Sequence, residues 1–375
     1  MVILSSAIGS PTQANTFFMK PSLLGITKEE LVAHLTEHGH PGYRADQILD
    51  WVWKKRPATI DAMSNLPRAL RAYLDENFTL YPLTPARELG SIDTTRKMLY
   101  KLHDGRYIES VLIPANPALY GGRADRLTLC VSSQVGCAYG CKFCASGLAG
   151  FTRNLSAAEI AAQVLQTEML AGDRIDNLVF MGMGEPLANS KNLLRAIELI
   201  TSPWGLNLGA RHLTISTSGL VPQIRELSCH PRQIRLAISL HGATDAVRDL
   251  IMPVNRKYPT AQLFEALHEW NAQKKQHLTL EYILIEGIND DLEQARILAT
   301  HARSLQAKVN LIPYNTVEGL PWKRPEISHC QAFRNILVKA GVTATLRLEK
   351  GHDIEAACGQ LRLIREAAEG VSEAI

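Results

Sequence analysis

The sequence predicts an α/β protein: a partial (β/α) barrel with a small helical N-terminal domain and a connecting β-hairpin. Three observations carry this prediction. From Leu127 to Leu348, short apolar runs alternate with longer stretches of helical periodicity, the pattern of parallel strands joined by crossover helices. Upstream, three segments between Thr27 and Leu74 carry apolar residues at helical spacing. Between the two blocks, Arg96 to Leu102 and Tyr107 to Ile113 alternate on either side of Asp104-Gly105, a hairpin turn pair. About six βα units suit an open or partial barrel, and eight do not fit comfortably into the residues left after the N-terminal domain.

With 375 residues, 46% of them hydrophobic, the chain can bury a large core and carry a small second domain. Its formal net charge of +3 permits an RNA partner without requiring one. Seven cysteines scattered over a long chain do not make the short, even-numbered framework of a secreted disulfide protein. They point to a reducing, cytoplasmic compartment. Met1 to Lys20 lacks a basic leader region and is broken by Pro11, so no signal peptide is expected. No apolar run approaches the roughly 20 residues of a membrane span, so no membrane partner is expected either.

In chain order, Thr27-Lys28-Glu29-Glu30 spells a capping box, and Leu31 and Leu35 follow on one helical face. Gly39 ends that helix and Pro41 prevents its return. A second helix runs through Gln47, Ile48, Trp51 and Val52 into the basic run Lys54-Lys55-Arg56. A third begins after Pro67 and carries Leu70, Tyr73 and Leu74. The basic run either touches phosphate or is a solvated helix end, where cations are favoured. After the hairpin, Asn116 to Ala124 with its Gly121-Gly122 pair reads as a loop with no assigned role.

The barrel strands are expected at Leu127 to Ser132, Leu178 to Met181, His212 to Ser216, Ile234 to Leu240, Leu278 to Ile285, Val309 to Ile312 and Val342 to Leu348. The helices between them include one capped by Ser156-Ala157-Ala158-Glu159 and reaching Leu170, and one from Asn189. Further helices run through Leu263, Leu267 and Trp270, from Asp291, and around Phe333 to Leu337. Ligands gather at the carboxyl ends of parallel strands. Polar residues recur there: Gly184-Glu185-Pro186, Ser216, Ser239-Leu240-His241 and Asn315. Each alone is more often a satisfied turn or capping residue than a ligand.

Directly after the first barrel strand stand Cys137, Cys141 and Cys144, spaced by three and then two residues, with Gly136 and Gly140 beside them. Thiolates are soft ligands that suit zinc or iron–sulfur iron. A structural zinc site closes four positions. Three local ligands therefore point to a metal centre with one position left for a substrate or cofactor.

This loop resembles the C-x3-C-x2-C loop of the radical S-adenosylmethionine superfamily, and the whole chain resembles its RlmN/Cfr family, from about Leu24 to Leu361. The resemblance implies a [4Fe–4S] cluster on Cys137, Cys141 and Cys144, with S-adenosylmethionine on its unique iron. Two molecules of S-adenosylmethionine are implied per turnover, one as methyl donor and one as radical source. Gly184 and Glu185 match the family element that receives the amino group of this cofactor. Ser216, Ser239, Leu240, His241 and Asn315 match its other cofactor contacts. Ile108-Glu109-Ser110-Val111 resembles the strand that supplies a general base, Glu109. The segment Gly351-His352-Asp353-Ile354-Glu355-Ala356-Ala357-Cys358-Gly359-Gln360-Leu361 resembles the family tail, whose cysteine carries the methyl group covalently. Cys130 matches the second catalytic cysteine, which would close a disulfide with Cys358. Without the resemblance, Cys130 and Cys358 read as small packing residues, and Cys229 and Cys330 are read as structural.

What the resemblance implies about function is methylation of C2 of an adenosine in 23S rRNA and of the adenosine next to the anticodon in tRNA. An electron donor such as flavodoxin or ferredoxin and a monomeric state go with it. The expected division is a disordered tail at 1–22, a helical accessory domain at 23–95, hairpin and connecting loop at 96–122, a radical S-adenosylmethionine core with the catalytic C-terminal segment at 123–361, and a tail at 362–375. Two alternatives stay open at this point: a C8-methylating relative, and a non-catalytic RNA-binding protein with structural zinc. Pro186 after Glu185 resembles the C2 enzymes.

Overall fold

The computed structural model describes residues 20–91, 94–115, 126–148, 150–274, 278–315 and 319–347. Helices α1 (Lys28–Glu37), α2 (Arg44–Asp50) and α3 (Arg68–Asn77) form the N-terminal unit. The capping box that opens α1 is complete: the Thr27 hydroxyl accepts from the Glu30 amide, and the Glu30 carboxylate accepts from the Thr27 amide. Leu31, Leu35, Ile48, Trp53, Leu70 and Leu74 are buried and belong to the main hydrophobic cluster. Each such side chain stabilises the fold by about 1.5–3 kcal/mol relative to exposure.

α2 widens at its end into a π-helical turn over Trp51–Lys55, closed by Arg56 in the left-handed region. That turn splits the basic run. Lys54 and Lys55 both pair with Asp50 at exposed positions, where ion pairs contribute little. Arg56 instead reaches the buried Glu168 carboxylate on the following unit and ties the helical unit to the barrel.

β1 (Thr84–Gly90), β2 (Arg96–Lys101) and β3 (Tyr107–Pro114) make an antiparallel meander that leads into β4 (Leu127–Cys130). The β2–β3 hairpin is the expected one. β1 was not expected: it is exposed along nearly its whole length and contains Pro85, so it shows no core-facing alternation. Pairing with β2 orders it, with an irregular register between Pro85 and Arg87, and it lies at the sheet edge where proline is tolerated.

From β4 the barrel proceeds through α5 (Ala157–Ala171), β7 (Asn177–Phe180), α6 (Ser190–Thr201), β8 (Leu213–Thr217), α7 (Val221–Ser228) and β9 (Arg235–Ser239). It continues with α8 (Asp245–Ile251), α9 (Thr260–Gln273), β10 (Thr279–Leu284), α10 (Leu292–Ser304), β11 (Lys308–Pro313), α11 (Ile327–Lys339) and β12 (Ala344–Leu346). The sheet runs β1-β2-β3-β4-β7-β8-β9-β10-β11-β12, parallel from β4 onward. Its ends at β1 and β12 make it the partial barrel expected from the unit count. Between β4 and α5, β5 (Gln134–Gly136) and β6 (Phe151–Asn154) form a separate antiparallel ribbon around α4 (Ala145–Leu148), another feature the sequence pattern did not signal.

Candidate active site

The ribbon explains how the cysteine loop is held. Gly136, at φ 75°, lies so close to Gly150 that a Cβ would collide with its carbonyl oxygen. That oxygen accepts from the Cys137 amide at 2.8 Å, which closes the neck of the loop. Lys142 N–H donates to the Ile251 carbonyl at 2.9 Å, tying the loop to α8. Cys137, Cys141 and Cys144 thereby line one cavity of about 350 Å³ at the carboxyl ends of the strands. Gly184, Glu185, Ser216, Ser239 and His241 line the same cavity.

The thiols stand in an environment that asks for positive charge. Burial pushes Cys137 up to about 11, and the neighbouring Cys144 and Glu185 push the same way. Burial likewise pushes Cys141 far up, reinforced by the other two thiols and Glu185. A bound metal cation removes that penalty and holds the ligands as thiolates. The donor set, soft and three-fold with a cavity beside it, fits an iron–sulfur cluster with an open position. Among the described residues no three His, Cys, Asp or Glu side chains are already drawn into ligand geometry, so the loop supplies donors rather than a preformed cage.

Glu185 sits in the turn after β7, behind a glycine at which a side chain would be strained. Gly184 has φ 97°, and a Cβ on it would collide with the Gln134 side chain. The Gln134 amide oxygen accepts from Glu185 N–H at 2.8 Å. One Glu185 oxygen accepts from the Ser218 amide and hydroxyl at 2.7 and 2.8 Å, and the other from Leu187 N–H at 3.1 Å. Burial raises its pKa, and the Ser218 and Leu187 donors oppose the shift. The carboxylate is therefore fixed in place with acceptor capacity remaining.

Arg248 organises the neighbouring strand ends. Its fully buried guanidinium donates to the carbonyls of Ser218 and Leu240 and, at 2.9 Å, to the Asn255 side chain. Burial lowers its pKa to about 10, which leaves it charged at neutral pH. Burial and Arg248 together push His241 down to about 3, so its imidazole is neutral. His241 Nδ1 accepts from Ile283 N–H at 3.1 Å, and its ring meets Phe143 of the cysteine loop edge to face.

Strand register places the rest. Directly opposed residues point to one face of a sheet, as do alternate residues along a strand. Lys97, Val111, Cys130, Val179 and Thr214 are opposed in succession across β2, β3, β4, β7 and β8. Glu109 is two residues from Val111, and Ser216 two from Thr214. Ser216 opposes Ala237, and Ser239, Glu281 and Asn310 are opposed across β9, β10 and β11. Glu109 and Cys130 thus share the face on which Ser216, Ser239 and Glu281 line the cavity. Glu109 and Cys130 are buried, outside the cavity lining itself. Lys97 Nζ lies 2.9 Å from Glu109 Oε2, and both side chains are almost completely buried. Buried ion pairs are weak sources of stability, so such a pair is more telling as a device that fixes a carboxylate.

Two of the predicted cofactor contacts also lie off the cavity wall. Leu240 is in the core and offers its carbonyl to Arg248. The Asn315 side-chain oxygen accepts from Arg324 at 2.7 Å. Cys358 falls outside the described residues. Sequence reasoning missed Gln134, Ser218, Arg248 and Glu281, whose roles depend on partners far along the chain. It also missed Gln163, which bonds Ser110 and both backbone groups of Ser132 and so locks β3 against β4 beside Glu109.

Comparison with known proteins bears directly on this cavity. Residues 131–298 match the model of the radical SAM superfamily, and residues 22–80 match that of the ribosomal RNA large subunit methyltransferase N-terminal domain. The chain is 59% identical over 346 residues to a probable dual-specificity RNA methyltransferase RlmN of Akkermansia muciniphila, covering 92% of this chain and 96% of that protein. It is 44% identical over 359 residues to the dual-specificity RNA methyltransferase RlmN of an Anaeromyxobacter species, covering 94% and 92%. The crystal structure of a radical SAM methyltransferase from Sphaerobacter thermophilus superposes with a TM-score of 0.86 at 43% identity, covering 91% of this chain and 98% of that one.

Proposed function

The chain belongs to the RlmN family of dual-specificity RNA methyltransferases in the radical S-adenosylmethionine superfamily, and from that membership we propose that it methylates C2 of one adenosine in 23S rRNA and of the adenosine beside the anticodon in tRNA. The observation that carries this is the joint placement of the three loop cysteines, Glu185, Ser216, Ser239 and His241 around one cavity. When bound, the cluster and S-adenosylmethionine supply the radical chemistry that C2 of adenine, which has no acidic proton, requires.

The chain's own residues divide the remaining work. Cys137, Cys141 and Cys144 hold the cluster. Glu185 takes the cofactor ammonium, a charge-assisted contact, and Ser216, Ser239 and His241, which line the same cavity, hold the rest of the cofactor. Cys358 accepts the methyl group on its sulfur. Glu109, fixed by Lys97, takes the C2 proton. Once the transferred carbon is bonded to C2, the Cys130 thiolate attacks the Cys358 sulfur, the bond from that sulfur to the carbon breaks with its electron pair passing to the base, a proton completes the methyl group, and a disulfide remains for the reductant to reopen. The base must leave its stack to enter so enclosed a site. Flavodoxin or ferredoxin is the proposed reductant, and the enzyme is proposed to act as a cytoplasmic monomer. No helix among the described residues is long and apolar enough to cross a membrane.

The test is mass spectrometry of digested rRNA fragment and tRNA after incubation with cluster-reconstituted protein, reductant and S-adenosylmethionine. The expected product is 2-methyladenosine in both RNAs. 8-Methyladenosine would reassign the carbon, and unmodified RNA would sink the proposal. A narrower expectation concerns Glu185. Glu185→Gln should leave the cluster spectrum intact while weakening S-adenosylmethionine binding by about 10- to 100-fold, the loss expected for one charged hydrogen bond. An unchanged dissociation constant counts against its role.

A further inference from the structure

The wall between the cysteine loop and solvent is thin where the loop meets the end of α8. Lys142, between Cys141 and Cys144, donates its backbone N–H to the Ile251 carbonyl at 2.9 Å, and its side chain is exposed. Around that bond, three consecutive residues cross from solvent to the cavity. Leu250 is 57% exposed, more than any other large aliphatic side chain among the described residues. Ile251 is buried, and Met252 is buried and lines the cavity with the three cysteines. The short turn that follows, Pro253–Arg256, leads Arg256 and Lys257 to the surface. Lys142, Arg256 and Lys257 enter no ion pair among the described residues, and the Lys257 ammonium lies 5.3 Å from the centre of the Tyr258 ring. The carboxylates of this stretch are engaged elsewhere. Asp245 and Asp249 accept from Asn255 Nδ2 at 3.0 and 2.8 Å, and Asp245 also accepts from Thr260 N–H at 2.7 Å. An exposed leucine alone needs no explanation. Here it stands with three unengaged cations on the outer side of the metal centre's own wall.

We propose that this face docks a small acidic one-electron carrier protein, an inference that rests on the cysteine loop holding a reducible cluster. Electron transfer falls off steeply with distance, so the carrier must approach over little intervening protein. Lys142 adjoins Cys141, and Leu250 stands two residues from the cavity-lining Met252. One electron leaves the carrier and enters the cluster, and no bond is made or broken. The cations steer an acidic partner to the face, and Leu250 adds a small apolar contact, which suits the brief, small encounters of electron-transfer pairs. RNA fits the same cations less well. Its target base must reach Glu109 on β3, whereas α8 follows β9, four strands further along the sheet. Leu250 also offers a phosphate backbone no donor.

The experiment compares cluster-reconstituted wild type with the triple variant Lys142→Glu, Arg256→Glu, Lys257→Glu and with Leu250→Ser. The probe is a flavodoxin of strongly negative net charge. Its equilibrium binding is titrated at low and high salt, and cluster reduction is followed by absorbance after mixing with the reduced flavodoxin. Charge reversal should weaken binding at low salt by about 10-fold or more and remove most of its salt dependence. Leu250→Ser should weaken it by about 3- to 10-fold at either salt concentration. Reduction by dithionite, which needs no docking, and affinity for the RNA substrate should stay within about twofold of wild type. Unchanged flavodoxin binding and reduction in the triple variant overturn the proposal. A loss of RNA affinity in that variant also overturns it and gives the face to RNA. If the triple variant does not fold, Lys142→Gln with Arg256→Gln makes the same comparison without reversing charge. Should wild type hold no cluster that dithionite reduces, the cluster reading fails first and takes the docking face with it. A wild-type cluster that dithionite reduces and flavodoxin does not overturns the docking face alone.

Discussion

Replacing Cys137, Cys141 or Cys144 with Ala is expected to abolish the iron–sulfur absorbance of the reconstituted protein and reduce RNA methylation to background. The effect is total because a cluster held by three ligands from one short loop has no spare donor. The fold should survive. The loop neck is closed by backbone bonds, Cys137 N–H to Gly150 and Lys142 N–H to Ile251, which a change of side chain does not remove. Unchanged thermal unfolding together with lost iron is therefore the expected signature. Stoichiometric zinc without iron in the wild-type protein after anaerobic reconstitution would refute the assignment and revive the zinc alternative.

Much of this architecture is legible in the sequence because local signals and burial agree. The Thr27 and Ser156 capping boxes both form, and they mark helices whose apolar faces are buried. The strand-end residues are legible for the same reason: once the βα order is known, Glu185, Ser216 and Ser239 must fall at one rim. Elements that depend on distant partners are not legible. β1 has no buried face of its own, and only its pairing with β2 makes it a strand. β5 and β6 are too short to show a period, and the Gly136 contact with Gly150 spans the whole cysteine loop. Arg248 looks like a helix-surface cation, yet it is buried and binds three separate segments. Glu281 sits in a run that reads as an apolar strand, and register alone turns it into the cavity. Glu109 could be singled out only by resemblance, since nothing local distinguishes it from an exposed strand carboxylate. Its burial against Lys97 is a property of the folded sheet.

The two remaining cysteines of the proposed mechanism are expected to fail in different ways. Cys358→Ala should give no methylated protein and no covalent bond to RNA, even with cluster and reductant present, because the methyl acceptor is gone. Cys130→Ala should still carry the methyl group on Cys358 and still attack the base, but then stall. The stalled species is a protein–RNA adduct held through the Cys358 sulfur, resolvable on a denaturing gel and removed by nuclease. Release needs a thiolate to attack that sulfur. Cys130 is suited to the task by its place opposite Val111, on the face that also carries Glu109. If both cysteines merely pack, each substitution removes one small side chain and costs on the order of 1 kcal/mol, without any adduct. Thermal unfolding separates the cases, since Cys130 is buried and its loss should register modestly under either reading. A folded Cys130→Ala enzyme that turns over normally removes Cys130 from the mechanism. A folded Cys358→Ala enzyme that still methylates adenosine overturns the covalent route as a whole, while leaving the cluster, the cavity and the RNA substrate in place.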